Sequence, residues 1–194
     1  DFTDEHVRAN TFSPFGFSIE SGNPGDIVEV RTGLARVQDE GSQLVAHIFS
    51  QVAEDQDEWL DLCAGPGGKA ALLSAIAKSK KIEFSANEIS EVRAKLVRQV
   101  VQGAEVSTVD ARELSTLGKK YGAILADVPC TGLGALRRRP EVRWRRTVTD
   151  LKALVILQGE IIDAAIENLL PGGVLGYATC SPHLSETRIA VSEA

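Results

Sequence analysis

Trp59-Leu60-Asp61-Leu62-Cys63-Ala64-Gly65-Pro66-Gly67-Gly68-Lys69 joins a short apolar run to a glycine-rich turn and then to a helix-forming stretch. Its first four residues read as a buried strand, and Lys69 to Ala77 as a helix. The alternation continues downstream. Ile82-Glu83-Phe84-Ser85-Ala86 reads as a second strand, followed by a helix from Glu91 to Val101. Val106 to Val109 and Ala123-Ile124-Leu125-Ala126 give a third and a fourth strand. A long helix, capped by Thr149 or Asp150, runs through Leu151, Leu154, Ile161, Ile162, Ile166 and Leu169. Pro171-Gly172-Gly173 is expected to end it, before a fifth strand from Val174 to Ala178. Strands alternating with helices predict an α/β fold, a doubly wound and mostly parallel sheet covered on both faces. Ligands of such sheets bind beyond the carboxyl ends of the strands, near the switch in strand order.

Residues 1–41 differ in texture. They are rich in Gly and Pro and carry β-like fragments, Phe15-Gly16-Phe17-Ser18-Ile19 and Ile27-Val28-Glu29-Val30. They read as a small β-containing N-terminal segment, with the main domain spanning residues 42–194 and opening on a helix capped by Ser42. The chain has 194 residues, of which 43% are hydrophobic, enough for one sizeable core. No apolar run approaches the roughly 18–20 residues that cross a bilayer, and no signal-peptide pattern opens the chain. The expectation is a soluble protein of the cytoplasm. Three cysteines without a Cys-x-x-Cys pair predict neither a disulfide framework nor a metal site. Methionine is absent, even at position 1, so the chain reads as a piece of a longer one.

Charge is unevenly spread. Residues 137–146 hold Arg137, Arg138, Arg139, Arg143, Arg145 and Arg146 against a single Glu141, a local charge of +5 in a chain of net charge −6. An acidic body with one basic loop points to local phosphate contact, and these six arginines are the candidates for holding an anionic substrate.

The glycine-rich turn is a ligand loop rather than only a tight corner. Glycines there admit close backbone approach, and the following helix offers free N–H donors. A nucleoside-triphosphate loop is excluded, because Cys63 and Ala70 stand where that pattern needs Gly and Ser or Thr. The Gly-x-Gly-x-x-Gly dinucleotide pattern is not matched either. An adenosyl ligand fits better. Glu88 follows the second strand about 20 residues after the loop, where an acid can bond ribose hydroxyls, and Asp110 follows the third strand within reach of an adenine amino group. The expected cofactor-binding set is Cys63, Ala64, Gly65, Pro66, Gly67, Gly68, Lys69, Glu88, Arg93, Asp110 and Asp127. Cys63 taken alone reads as a small buried hydrophobe.

Two more segments end in cysteine just after a strand, Asp127-Val128-Pro129-Cys130 and Ala178-Thr179-Cys180-Ser181. Two thiols beside an adenosyl loop suit methylation of a pyrimidine at carbon 5. That carbon is a poor nucleophile until a thiolate adds at carbon 6, and cysteine is both a strong nucleophile and a competent leaving group. The ring nitrogen then needs an acid. Asp127 is the candidate, expected to be buried at a strand end where its proton affinity rises. Lys69 could orient Asp127 or a substrate phosphate. His183, three residues after Cys180, suggests a Cys–His hydrolase only in isolation, since no other motif supports it.

Taken together, these segments resemble the RNA (cytosine-5)-methyltransferase family of RsmB/Sun/Nop type. The resemblance rests on Asp61 to Ala64 with Pro66 to Lys69, on Asp127 to Gly134, and on Thr179-Cys180-Ser181. Val37-Gln38-Asp39-Glu40 with Ser42-Gln43, and the stretch from Arg138 to Trp144, add to it. It covers residues ~35–188 and implies a class I, Rossmann-like methyltransferase fold. It further implies S-adenosylmethionine as methyl donor and a cytosine in RNA, expected to be ribosomal RNA, as acceptor. By the same resemblance Cys180 corresponds to the nucleophile and Cys130 to the residue that assists product release. DNA cytosine-5 enzymes place their nucleophile at the Pro-Cys position, so Cys180 favours the RNA branch. A non-catalytic RNA-binding domain on the same fold is the rival from another class, and the thiol pair speaks against it. The family continues through a further strand pair beyond the point where this chain stops, so the sheet is expected to be truncated at its C-terminus.

Overall fold

The computed structural model describes residues 7–101 and 103–194. Residues 1–6 of the N-terminal segment lie outside the described residues. Strands β1 (Val7–Ala9) and β2 (Phe17–Ile19) pair antiparallel as a small hairpin. A 3-10 turn at Pro24–Asp26 leads into helix α1 (Val28–Arg31), which corrects the β-like reading of Ile27 to Val30. The reason is local. The Asn23 side chain accepts from Gly25 N, and Pro24 at the first position presets the helical φ, so the chain enters a helical turn with no strand beside it.

Helix α2 (Glu40–Val52) begins at Asp39 rather than at Ser42. Glu40 accepts from the backbone N–H groups of Phe12 and Ser13, and buried Gln43 bonds Ser13 and Asn10. These bonds fasten the N-terminal segment to the helix. There follow β3 (Glu58–Asp61), α3 (Gly68–Lys80), β4 (Glu83–Asn87), α4 (Glu91–Arg98), β5 (Glu105–Ser107) and a 3-10 segment at Ala111–Leu117. Then come β6 (Tyr121–Asp127), α5 (Val142–Arg145), α6 (Val148–Glu167) and β7 (Leu169–Ala178). A 3-10 turn at Leu184–Glu186 and helix α7 (Arg188–Ser192) complete the described chain.

Three element ends depart from the sequence expectation. Helix α6 starts after Thr147, where Thr147 and Asp150 satisfy each other's backbone N–H in a capping box. Its other end is Asn168, and Pro171-Gly172-Gly173 lies within β7 instead of terminating the helix. There the pairing with β6 jumps from Tyr121↔Leu169 to Ala123↔Val174, a bulge that absorbs residues unable to ladder. Strand β5 stops at Ser107, because the Val109 N–H is taken by the Asn87 side chain.

The main sheet has the order β5-β4-β3-β6-β7, every pairing parallel. Strand order reverses between β3 and β6, which places a crevice at their carboxyl ends. Alternate residues of these two strands feed separate cores. Trp59, Ala123 and Leu125 join Phe49, Leu73 and Val97 on one face, while Leu60, Ile124 and Ala126 join Leu114, Ile161 and Ala165 on the other. Burial on both faces explains why these strands read as unbroken apolar runs. Trp59 is fully enclosed. Its ring meets Phe49 edge-on at 5.6 Å, and its indole N–H donates to the Ala53 carbonyl at 3.0 Å.

Candidate active site

Five loops meet at the carboxyl ends of the strands, following β3, β4, β5, β6 and β7, and enclose a cleft of about 770 Å³. That volume is typical of a small-molecule site. The glycine loop after β3 forms one wall. Gly67 takes a left-handed φ of 107° that launches α3, and a side chain at Gly65 would overlap the Glu88 carboxylate. Glu88 is itself buried. One oxygen accepts from Gly65 N at 3.0 Å, the other from Ser90 N at 2.8 Å and from Arg93 at 2.6 Å. Three of its roughly four acceptor sites are filled, leaving one on the oxygen beside Gly65.

Asn87 acts as a staple between strand ends. Its amide donates to the carbonyls of Leu62 and Val109, and its oxygen accepts from Val109 N and the Ser107 hydroxyl. Every bond it can make at the floor of the cleft is made, which fixes the glycine loop against β4 and the loop after β5. Asp110 lines the cleft, and its carboxylate is gripped by Arg112 at 2.7 Å. Those bonds hold the Asp110 carboxyl below its usual range, the side chain of Arg112 being the largest cause.

Lys69, on the first turn of α3, donates to Asp127 at 2.7 Å and lies 3.4 Å from the Ser42 hydroxyl. This joins two candidates that are 58 positions apart in sequence. The expected burial of Asp127 is not found: its side chain keeps 30% of its surface exposed. Burial falls on Asp61 instead. Asp61 ends β3, is 1% exposed, lines the cleft and has no hydrogen-bond partner on either oxygen. Burial, and then repulsion from Asp127, pushes its carboxyl up to about 7. The sequence reading gave Asp61 no role. A charged residue inside an otherwise apolar strand was the available signal, since carboxylates are almost never fully buried without a partner.

The two cysteines converge. Cys130 Sγ and Cys180 Sγ stand 3.3 Å apart, although 50 positions separate them, with Cys130 buried and Cys180 exposed. A hydrogen bond from the Cys130 thiol lowers the Cys180 pKa to about 6, and the same bond, together with burial, pushes Cys130 well up. The pairing thus favours the thiolate on Cys180 and the thiol on Cys130. Burial raises the thiol of Cys63, which keeps that residue inert.

Behind the thiols lies a polar cluster with no counterpart among the sequence candidates. Glu186, fully buried, accepts from Thr131 N, from the Thr131 hydroxyl and from Gln158. Burial opposes its charge, yet bonds from Ser181 and Thr131 outweigh that and hold its pKa below the usual value. His183 donates its own N–H to the Ser181 hydroxyl, and its ring accepts from Ser185 N, so it serves the turn rather than a hydrolase pair.

The arginine loop forms the outer rim. Arg138, Arg139 and Arg146 line the cleft, Arg146 reaching the Cys130 carbonyl at 3.5 Å. Arg137, Arg143 and Arg145 do not line it. Arg143 sits over the ring of Trp144, whose side of the loop faces solvent with the tryptophan 82% exposed. Among the described residues no helix is long and apolar enough to cross a membrane.

The chain is similar to several known proteins. A family model described as 16S rRNA methyltransferase RsmB/F matches residues 50–194. A Mycobacterium tuberculosis protein carrying a methyltransferase name is 51% identical over 187 residues, 94% of this chain and 41% of its own length. Ribosomal RNA small subunit methyltransferase B of Vibrio cholerae is 37% identical over 165 residues, 82% of this chain and 37% of its own length. The chain thus spans well under half the length of these relatives. Among solved structures, NSun6 from Pyrococcus horikoshii, crystallised with SFG, superposes with a TM-score of 0.77 at 28% identity, covering 92% of this chain and 48% of that one.

Proposed function

The chain belongs to the RsmB/F family of 16S rRNA methyltransferases, and from that premise we propose that it methylates carbon 5 of a cytosine in RNA, ribosomal RNA being the acceptor. The observation that carries this reading is the 3.3 Å approach of Cys180 to Cys130 in the cleft. A non-catalytic RNA-binding module has no use for such a pair.

S-adenosylmethionine is the proposed methyl donor, and the residues present suit it. The unpartnered Asp61 carboxylate at the cleft floor matches a cationic group, which the amino acid end of that molecule supplies. The glycine loop admits close approach, and the free acceptor site on Glu88 suits a ribose hydroxyl. Asp110, already gripped by Arg112, would meet the adenine end. When bound, the donor supplies an electrophilic methyl group on a sulfonium.

The chain's own residues do the rest. Cys180 thiolate adds to carbon 6 of the cytosine, forming a C–S bond and pushing electron density onto the ring. Asp127 holds the Lys69 ammonium across their 2.7 Å bond, and this pair lends a proton from Lys69 to the ring nitrogen during attack and takes it back when the base is released. Once carbon 5 carries the methyl group, Cys130, having first released its own proton to solvent, takes the carbon 5 hydrogen as a proton. The C–S bond then breaks and Cys180 departs as thiolate. The arginine rim holds the flanking phosphates, with the target base turned out of its stack.

Labelled methyl transfer to RNA fragments tests this. Cytidine-containing RNA should take up label, and the same RNA with 5-methylcytidine at the target should not. Cys180→Ala should abolish transfer yet keep binding of S-adenosylhomocysteine. Undiminished transfer by that variant would refute the assignment.

A further inference from the structure

We propose that Glu186 is a positioning residue for the two-cysteine site: its buried carboxylate, together with Gln158, locks the loop after β6 to the loop after β7 and so fixes how closely Cys130 and Cys180 approach. The inference rests on the reading above only in taking Cys180 as the attacking group.

The bonds straddle both cysteines. Thr131 directly follows Cys130, and Ser181 directly follows Cys180. Thr131 donates its backbone N–H to Glu186 at 2.8 Å and its hydroxyl to the other carboxylate oxygen. The Thr131 and Ser181 hydroxyls also stand 3.0 Å apart, a direct link between the two cysteine-bearing loops. Gln158 donates to Glu186 at 3.1 Å and to the Pro129 carbonyl at 2.8 Å, so the residues on both sides of Cys130 are held. The Tyr177 hydroxyl donates to the Glu186 carbonyl at 2.9 Å, which ties the clamp to β7 three residues before Cys180. A closing contact comes from Gly134, whose N–H donates to the Cys180 carbonyl at 2.9 Å and where a side chain would strike that carbonyl.

A buried carboxylate is costly where packing alone is needed, and an apolar side chain would fill the same space. Glu186 has no ion-pair partner among the described residues, and each donor to its side chain belongs to α6 or to a loop that carries a cysteine. The other polar residues near the thiols, Lys69, Asp127 and Arg146, do not bridge the two loops.

The test reads Cys180 directly and needs neither RNA nor methyl donor. In the full chain, iodoacetamide alkylation of the Cys180 peptide is followed by mass spectrometry from about pH 5 to about pH 10. Asp127 and Lys69 also face Cys180, and every variant keeps both. The wild type should show a midpoint near 6. Glu186→Ala and Thr131→Val should move it upward by about one unit or more, towards an ordinary thiol near 8.5. Glu186→Gln should move it less, because its amide oxygen still accepts the Thr131 N–H. In a Cys130→Ala background, Glu186→Ala should add no further shift. The proposal is overturned if Thr131→Val and the Glu186 variants keep the wild-type midpoint, or if the wild type titrates as an ordinary thiol. Should Glu186→Ala fail to fold, the near-isosteric Thr131→Val decides. Absence of methyl transfer by the wild type would instead count against the proposed function and leave the alkylation result standing.

Discussion

Asp61→Asn is the perturbation whose size the structure fixes best. The Asp61 carboxyl is raised from 3.8 to about 7 by burial and by Asp127, with no hydrogen-bond partner on either oxygen. Each pKa unit corresponds to about 1.4 kcal/mol of differential stability, so the ionised carboxylate costs the unliganded fold about 4 kcal/mol. The sign follows from proton counting. Between 3.8 and about 7 the unfolded chain has lost a proton that the folded chain keeps, so stability falls as pH rises through this window and levels off above it. Asparagine carries no charge at any of these pH values. It has its own constant cost of burial, so the informative quantity is the change with pH and not the offset. Urea denaturation of both proteins at pH 5 and at pH 8 should show the variant gaining about 3 kcal/mol relative to wild type between the two. In parallel, S-adenosylhomocysteine binding should weaken, because the anion it neutralises is gone. A stability difference independent of pH would refute the reasoning, and so would undiminished ligand binding.

Three further outcomes are expected. Cys130→Ala should raise the alkylation midpoint of Cys180 from about 6 towards an ordinary thiol value, and should leave a covalent protein–RNA species visible on a denaturing gel. Replacing Arg138, Arg139 and Arg146 together by Gln should weaken RNA binding and flatten its salt dependence by roughly two in log–log slope, measured by titration at several salt concentrations. Thr147→Ala removes the capping box of α6 and should lower stability by about 1 kcal/mol in urea melts, with little change in cofactor affinity.

The parallel sheet was legible because β3 and β6 are buried on both faces and therefore read as continuous apolar runs between glycine turns. The cysteines were legible because each follows such a run directly, which puts both at the same edge of the sheet. Element ends were harder to read. Ile27 to Val30 has β-branched residues that suit a strand, but the turn set by Asn23 and Pro24 sends them into a helix. Pro171-Gly172-Gly173 carries the composition of a stop signal, yet tertiary pairing with β6 draws it into a bulged strand. Asp61 left one trace in the sequence, a charge inside an apolar strand, and Glu186 left none. What distinguishes them is burial, and burial depends on which strands and loops close over them. Asp127 shows the converse: a strand end suggested enclosure, and the cleft left it partly open beside Lys69.

The two tryptophans occupy opposite extremes, Trp59 sealed against Phe49 and Trp144 standing in solvent beside Arg143. Their emission should therefore separate, a blue component shielded from acrylamide and a red one freely quenched. The first reports whether the sheet is intact, the second whether anything has settled on the basic rim. A single cuvette thus reads folding and nucleic-acid engagement as independent signals, with no label attached.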